Sequence, residues 1–368
     1  MNSLVMMFQR IHIELTNRCN FSCVFCPNSL MTRPLQDLDV DLVRKALEEI
    51  SRERLTDTIF FHVMGEATLY PHLEDVVKEA KSQNLKVVLT TNGWGISDTL
   101  LSGILSAGIE HILFSVQTPD KDSFALRHAP VDFLAYRKKI CTLIARIVEQ
   151  SSTKVTLSFL TTPLPFFLLP SKKYHIVCNR RELVFFFKEW LDEIASAMHG
   201  KVFHESLQNK NKLLLKRLSS FNMFGWNKFN VTKNFSLETR VLGDWVHQGL
   251  SGGRISRAHI GYCEGLKTHF GILSNGDMVF CCVDYDGKTC FGNLKQVAIK
   301  EALAQQRIRN VIQGFEKLKV KEEYCQRCLG DISFSKSIVR QLGSIFYFKV
   351  YRRWWENERN KKEVLLCG

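Results

Sequence analysis

The sequence lacks an apolar run long enough to cross a bilayer, since stretches such as residues 163–170 are far shorter than a membrane helix needs. Its first residues also lack the long apolar core and the cleavage site of a signal peptide. Its 12 cysteines are too few for a disulfide scaffold in 368 residues, and they occur in clusters. We therefore expect a cytoplasmic protein whose cysteines bind metal in a reducing compartment.

The charge balance is basic, with a formal net charge of +13. Such a charge is compatible with a nucleic acid, an anionic substrate or a membrane surface as partner. Because Lys and Arg are spread along the chain and no RRM or KH motif occurs, we expect no nucleic-acid partner. The length leaves room for an α/β core and a second small domain.

Between residues 11 and 162, β-rich apolar segments alternate with helical patterns. Repeated β–α units predict a parallel sheet, in which ligands gather at the carboxyl ends of the strands. The predicted strands are 11–15, 58–63, 86–90, 111–116 and 154–159, and the predicted helices are 38–50, 72–81, 98–107 and 133–149.

Three cysteines directly follow the first predicted strand. Cys19, Cys23 and Cys26 have the spacing C-x3-C-x2-C, so their thiolates can reach around one small iron–sulfur cube. A cubane [4Fe–4S] cluster fully held by protein needs four thiolates, and three leave one iron open to an outside ligand. A zinc knuckle is the alternative, but zinc needs four ligands and no paired partner lies nearby in the sequence.

This triplet resembles that of the radical S-adenosylmethionine (SAM) superfamily. The resemblance implies an α/β fold, a partial (β/α)6 TIM-like barrel with the cluster at its top. It further implies that the open iron binds the amino and carboxylate groups of SAM. An electron from the cluster then cleaves SAM to a 5′-deoxyadenosyl radical, and a reducing donor such as flavodoxin or ferredoxin supplies that electron.

The resemblance also implies the residues that contact SAM. Gly65 and Glu66 fall where the family usually carries Gly-Gly-Glu-Pro, although Met64 and Ala67 depart from that pattern. Gly65 permits close backbone approach, and Glu66 would accept a hydrogen bond from the SAM amino group. The other implied contacts are Phe25 beside the cluster and adenine, Thr91 and Asn92 at the polar groups, and Ser115 at the ribose.

A second group of cysteines lies near the C-terminus. Residues 271–280 read as a β-hairpin, which would bring Cys263 and Cys281 together, and Cys325 and Cys328 would complete four ligands. The region resembles twitch and SPASM domains, and a twitch with a single [4Fe–4S] cluster is the better match. Zinc remains the alternative metal, and Cys282 remains the alternative to Cys281. Plain thiols are expected for Cys141, Cys178, Cys290 and Cys367.

These features predict three parts of the chain. Residues 1–240 form the radical SAM core, with an irregular, basic and aromatic insertion at about 205–240. Residues 241–332 form the twitch/SPASM-like domain with the auxiliary cluster. Residues 333–368 form a basic, aromatic tail that either docks on the barrel or contacts a membrane surface.

The resemblance favours an oxidoreductase that abstracts hydrogen from a small polar or sugar-like metabolite and passes an electron to the auxiliary cluster, as a twitch-type aminocyclitol dehydrogenase does. One alternative is a maturase that modifies a ribosomally made peptide. Another is an iron–sulfur protein without catalysis, which the departures at Met64 and Ala67 would suit. The catalytic residue that takes the proton is not predicted, and His62 is as compatible with packing as with a role as base.

Overall fold

The computed structural model describes residues 7–162, 174–199, 226–242 and 255–351. The apolar run at 163–170, most of the expected insertion, the C-terminal half of the expected tail and Cys367 lie outside the described residues.

The described residues contain one 10-stranded sheet, ordered β10-β9-β8-β1-β2-β3-β4-β5-β7-β6. Its strands from β8 to β7 are all parallel to their neighbours, while β6, β9 and β10 are antiparallel additions at the edges. This confirms the predicted α/β class with a parallel sheet. The strands are β1 Arg10–Ile13, β2 Thr58–Phe61, β3 Lys86–Thr91, β4 His111–Gln117, β5 Lys154–Thr161, β6 Asn227–Asn230, β7 Phe235–Val241, β8 His269–Ile272, β9 Asp277–Val279 and β10 Gly292–Asn293.

The two faces of the sheet differ in polarity because alternate residues of a strand point to opposite faces. Ile11, Ile59 and Val87 are paired across the first three strands, and each is fully buried. The opposite face is polar: His111 lies 2.7 Å from the Thr156 hydroxyl, which lies 2.7 Å from that of Ser236. The apolar face therefore packs under the helices, and the polar face lines the inside of the partial barrel.

Several of the helices that connect the strands begin at side-chain caps. Asp39, Ser97, Asp132 and Asn179 each accept a hydrogen bond from a backbone N–H of the following first turn. No helix in the described ranges is long and apolar enough to cross a bilayer. The helices are α1 Val40–Arg52, α2 Leu73–Ser82, α3 Asp98–Ser106, α4 Lys121–Phe124, α5 Phe133–Gln150, α6 Arg180–Ser196, α7 Ile299–Leu303, α8 Gln306–Glu316, α9 Glu323–Leu329 and α10 Phe334–Phe346.

One part of the expected insertion is regular. β6 and β7 pair as an antiparallel hairpin, and β7 pairs with β5 in parallel along its whole length. The reason is visible in the sequence, because Phe235 and Leu237 alternate with polar residues at the period of a strand. β7 is thus a strand of the core sheet rather than part of an irregular elaboration.

The C-terminal region continues the same sheet. β8 and β9 form the predicted hairpin, with Gly276 at a φ of +90° in its turn. The sequence did not predict that β8 also pairs in parallel with β1. The cysteine-rich region is therefore hydrogen-bonded to the edge of the core.

A buried ion pair joins the two regions. The side chain of Glu14 is fully buried and that of Arg33 is 6% exposed, with 2.8 Å between Glu14 Oε1 and Arg33 Nη2. Arg33 also donates to the carbonyl of Tyr285 at 2.8 Å. The Glu14 carboxylate accepts from the backbone N–H of Met64 at 3.1 Å and from that of Ser274 at 3.0 Å. One carboxylate therefore links β1, the end of β2 and the C-terminal hairpin.

We predict that Arg33→Met lowers the free energy of unfolding by about 3–5 kcal/mol, because it leaves the Glu14 charge buried and unpaired. Denaturant unfolding under anaerobic conditions, followed by circular dichroism, measures the change. Arg44→Met is the matched control, since Arg44 forms an exposed pair with Asp41 and its loss should change little. Equal effects of the two substitutions would contradict the assigned role of the buried pair.

Candidate cofactor sites

A cavity of about 220 Å³ opens at the carboxyl ends of the core strands. All three cysteines of the triplet line it, and so do five of the six residues expected to contact SAM. Parallel α/β sheets place ligand sites at this end. The lining residues from these two sets are Cys19, Cys23, Cys26, Phe25, Gly65, Glu66, Asn92 and Ser115.

The three thiols of the triplet form a donor set for a cationic group. Burial, with smaller contributions from the nearby Glu66, Cys23 and Cys26, raises the pKa of Cys19 to about 12. Burial, with a contribution from Cys23, likewise raises the pKa of Cys26 to about 11. Three ionised thiols at this place need positive charge beside them, which the irons of a cluster supply.

Arg127 lies beside the triplet. Its guanidinium lies over the ring of Phe21 at 4.8 Å and donates to the carbonyls of Ser115, at 2.7 Å, and Val116. Its proximity lowers the pKa of the Cys26 thiol, against the larger rise from burial. Arg127 thus connects the end of β4 to the cysteine loop.

Glu66 organises the end of β3. Its Oε1 accepts from the hydroxyl of Thr91 at 2.6 Å, and its Oε2 accepts from the backbone N–H of Asn92 at 2.6 Å. The side chain of Thr91 is buried and does not line the cavity. Thr91 therefore holds the Glu66 carboxylate, and its expected contact with SAM stays a prediction. Asn92 reaches the cavity and donates to Asn20 in the cysteine loop at 2.7 Å.

Gly65 occupies a position that no other residue fits. Its φ is +73°, and a Cβ there would lie 2.3 Å from the carbonyl oxygen of Thr16 and 2.8 Å from that of Arg18. Both carbonyls belong to the segment that leads into Cys19. Close approach of the β2 end to the cysteine loop therefore depends on this glycine.

The remaining expected contacts also lie at the cavity. Phe25 is buried against Tyr174, with 6.4 Å between ring centroids. Ser115 donates to the carbonyl of Thr91 at 3.0 Å, which leaves its oxygen lone pairs for a ligand donor.

Sequence reasoning missed two polar residues of the cavity wall. The Asn28 Oδ1 atom is buried without a hydrogen-bond partner, and a ligand with donor groups, such as the amine of SAM, fits such an acceptor. Gln117 has a φ of +64° at the register shift between β4 and β5. Strained backbone of this kind is common at binding sites, but neither residue carries a sequence motif.

The second cysteine group also assembles. Cys325 and Cys328 are one turn apart on α9, and Cys281 follows β9. Burial raises the pKa of Cys281, and the nearby thiols of Cys263, Cys282, Cys328 and Cys325 add to the rise. The backbone N–H of Gly265 donates to the Cys263 sulfur at 3.4 Å. The four predicted ligands thus lie together.

The spacing within both cysteine groups suits a cluster better than one zinc ion. A tetrahedral Zn²⁺ with Zn–S bonds of about 2.3 Å holds its sulfurs only ~3.8 Å apart. Among the described residues, the one three-residue group whose ligand atoms all lie within 4.8 Å of one another is His175, Cys178 and Glu182. Neither cysteine group is that compact, and a cubane, being larger than an ion, accommodates wider spacing.

Cys282 also lies close enough to Cys263 and Cys281 to raise the pKa of both thiols. It packs on a small apolar cluster that includes Val63 and Met64 and that Cys26 also contacts. Burial raises the pKa of Cys282, whereas nearby Arg10 and Arg240 lower it. Cys281 has the thiols of Cys263, Cys325 and Cys328 around it and stays our predicted fourth ligand, with Cys282 as the alternative.

A parallel α/β sheet with a three-thiol site at its carboxyl end and a four-thiol site beside it defines an iron–sulfur protein. Residues 13–161 match the model of the radical SAM superfamily, and residues 263–329 match that of SPASM, an iron–sulfur cluster-binding domain. The chain thus carries a radical SAM domain and a C-terminal SPASM domain. These domains imply a [4Fe–4S] cluster with SAM and auxiliary iron–sulfur clusters.

Curated relatives match over part of their length. The chain is 29% identical over 106 residues to the tungsten-containing aldehyde ferredoxin oxidoreductase cofactor-modifying protein of Pyrococcus furiosus, covering 29% of this chain and 30% of that protein. It is 30% identical over 147 residues to the PqqA peptide cyclase of Gluconobacter oxydans, covering 40% and 39%. It is 26% identical over 121 residues to the S-adenosyl-L-methionine-dependent 2-deoxy-scyllo-inosamine dehydrogenase of Niallia circulans, covering 32% and 48%. Each match spans less than half of the relative.

Among solved structures, native anSMEcpe with bound AdoMet has a similar fold, with a TM-score of 0.51 at 15% identity. The similarity covers 93% of this chain and 97% of that one. It supports the fold that the sequence predicted.

We predict that Gly65→Ala prevents cluster assembly, because the new methyl group would clash with the carbonyls that lead into Cys19. The measurement is iron content after anaerobic reconstitution, together with the free energy of unfolding. Gly108→Ala is the control: its φ is also positive, +82°, but the nearest atom to its Cβ is 3.7 Å away. It should cost about 1–2 kcal/mol of stability and keep its iron. Full iron in Gly65→Ala would show that the close approach is dispensable.

Single substitutions distinguish Cys281 from Cys282 as the ligand of the second site. We predict that Cys281→Ala loses about half of the bound iron, as loss of one of two cubanes requires, whereas Cys282→Ala keeps it. Iron and sulfide analysis and the ultraviolet–visible spectrum measure the difference. The reverse pattern would identify Cys282 as the ligand.

Proposed function

We propose that this protein is a radical SAM oxidoreductase that oxidises a small polar or sugar-like metabolite. The observation that carries the proposal is the pair of cysteine sites, one with three thiols beside a cavity and one with four thiols. When bound, the first cluster with SAM supplies a 5′-deoxyadenosyl radical for hydrogen abstraction, and the second supplies an acceptor for the following electron. Four thiols for the second site support one auxiliary cluster.

The chain's own residues shape the space for the substrate. Leu160 and Leu242 line the cavity. Ser158 and Glu238, which are paired across β5 and β7, precede them on the same face of these strands. Glu238 is almost fully buried, and its carboxylate accepts from Ser158 at 3.4 Å and pairs with Arg240. A polar interior of this kind favours a substrate with hydroxyl or amine groups over an apolar one.

His62 is our candidate for the proton acceptor. It lines the cavity at the end of β2. Burial, with a contribution from nearby Arg240, lowers the pKa of His62 to about 4. The imidazole is therefore neutral at pH 7 and has a free lone pair for a proton that leaves the oxidised substrate.

The second candidate function is the modification of a ribosomally made peptide. The similarity to a PqqA peptide cyclase favours it, while the similarity to a 2-deoxy-scyllo-inosamine dehydrogenase favours the small-molecule substrate. An iron–sulfur protein without catalysis is the third reading, and it predicts no cleavage of SAM. We further propose that flavodoxin or ferredoxin donates the reducing electron and that the protein works in the cytoplasm, where thiols stay reduced.

The test is anaerobic reconstitution of the wild type and of a Cys19→Ala, Cys23→Ala, Cys26→Ala variant. We expect about eight irons in the wild type, about half in the variant, and reductive SAM cleavage only in the wild type. The control is Cys290→Ala, whose thiol donates to the carbonyl of Gly292 and should be dispensable. Absence of SAM cleavage by the iron-loaded wild type would leave the non-catalytic reading.

Substrate classes are then compared by product analysis with aminocyclitols, sugar alcohols and short peptides, in the wild type and in His62→Asn. We expect oxidised aminocyclitol or sugar products from the wild type. Modified peptide instead would favour the maturase. If His62 takes the proton, His62→Asn should keep SAM cleavage but lose product at least tenfold.

A further inference from the structure

Helix α10 is oriented against the usual rule for an amphipathic helix. Three of its inward side chains are polar and hydrogen-bonded to the segment 256–262, and Ile345 packs against the hydrophobic core beside them. The Ser337 hydroxyl donates to the carbonyl of Ser256 at 3.0 Å, Gln341 accepts from two backbone N–H groups at 3.1 Å, and the Ser344 oxygen accepts from the Tyr262 N–H at 3.1 Å. The helix is therefore attached to the protein by these hydrogen bonds together with the packing of Ile345.

The outward side of α10 is apolar. Five large residues spaced four apart run along it and into the following turn, and we call them the α10 face. Phe334 is 72% exposed, Leu342 is 60% exposed and Phe346 is 58% exposed. Residues four apart lie on one side of a helix, so the exposed surface is continuous. The face consists of Phe334, Ile338, Leu342, Phe346 and Val350.

Such a face is costly in water. Each large side chain left exposed forgoes the stabilisation that full burial gives. Continuous exposed apolar patches on proteins mark surfaces that contact a partner or a membrane. The hydrogen bonds of the inward polar side chains fix the orientation of α10. The apolar side of the helix is therefore held facing outward.

The charge around the face identifies the kind of partner. Residues 332–355 contain no Asp or Glu, five Lys or Arg and two Trp. Lys336 is exposed beside the face, and Lys349 lies over the ring of Tyr262 at 4.0 Å. Apolar residues flanked by Lys, Arg and Trp match the interface of an anionic bilayer. A second copy of the chain would bring one acid-free, basic segment against another, which like charges disfavour.

We propose that the α10 face lies on the surface of an anionic lipid bilayer, with its apolar residues at the level of the headgroups and acyl boundary. The contact is peripheral. It places the carboxyl-terminal region of the enzyme at a membrane surface, independently of the chemistry at the cavity.

The experiment is co-sedimentation of the full-length, iron-loaded protein with vesicles of phosphatidylcholine containing 30% phosphatidylglycerol, and with vesicles of phosphatidylcholine alone. We expect binding to the anionic vesicles that falls at least tenfold at 1 M salt, since salt screens surface charge. A Leu342→Glu, Phe346→Glu variant should lose at least tenfold in vesicle partitioning while keeping its iron content and its SAM cleavage.

The matched control is Leu134→Glu, Phe185→Glu, which replaces equally exposed apolar residues on α5 and α6. Leu134 is 67% exposed and Phe185 is 58% exposed. This variant should bind anionic vesicles as the wild type does. The proposal is overturned if the wild type does not bind, if both variants bind equally, or if sedimentation equilibrium shows a stable dimer that only the α10 variant loses.

Discussion

The buried ion pair between Glu14 and Arg33 is the constraint on which the two iron–sulfur regions depend. Glu14 directly follows the first strand, and Arg33 follows the cysteine triplet. Glu14 accepts from the Ser274 N–H in the C-terminal hairpin, and Arg33 donates to the carbonyl of Tyr285 just beyond that hairpin. A buried charge is expensive unless it is paired and fully hydrogen-bonded, so these two side chains tolerate little relative movement. The segment that carries the first cluster is thereby held against the domain that carries the second.

Much of the fold and of the site followed from local signals in the sequence. The alternation of strands and helices up to residue 162, the cysteine triplet and the hairpin before Cys281 all have short-range patterns, and the structure contains each at about the predicted bounds. β7 also has the alternating apolar and polar residues of a strand. The basic and aromatic residues before it led us to expect an irregular insertion instead. The family match supports the cofactors, and the individual contacts to SAM stay proposals.

The rest was beyond the sequence because it depends on contacts between distant residues. The pairing of β8 with β1 and the hydrogen bond from Arg33 to Tyr285 link positions about 250 apart. Thr91 follows the family pattern, yet its hydroxyl donates a hydrogen bond to Glu66. Asn28 and Gln117 have no motif at all, and only the shape of the cavity shows that they face it. The exposure of the α10 face likewise depends on the hydrogen bonds that the opposite side of the helix forms with the segment 256–262.

The parallel pairing of β1 with β8 connects the two cysteine sites and also sets the distance between them. β1 leads into the first cysteine site, and the β8–β9 hairpin leads into the second. Their separation is therefore fixed by hydrogen-bond register, in which a slip of two residues would move one site by about 6.6 Å along the strand. In the proposed oxidation an electron passes between the two sites, and the register of β1 and β8 sets the distance that it travels. Loops around the cavity can vary in sequence and length without changing that distance.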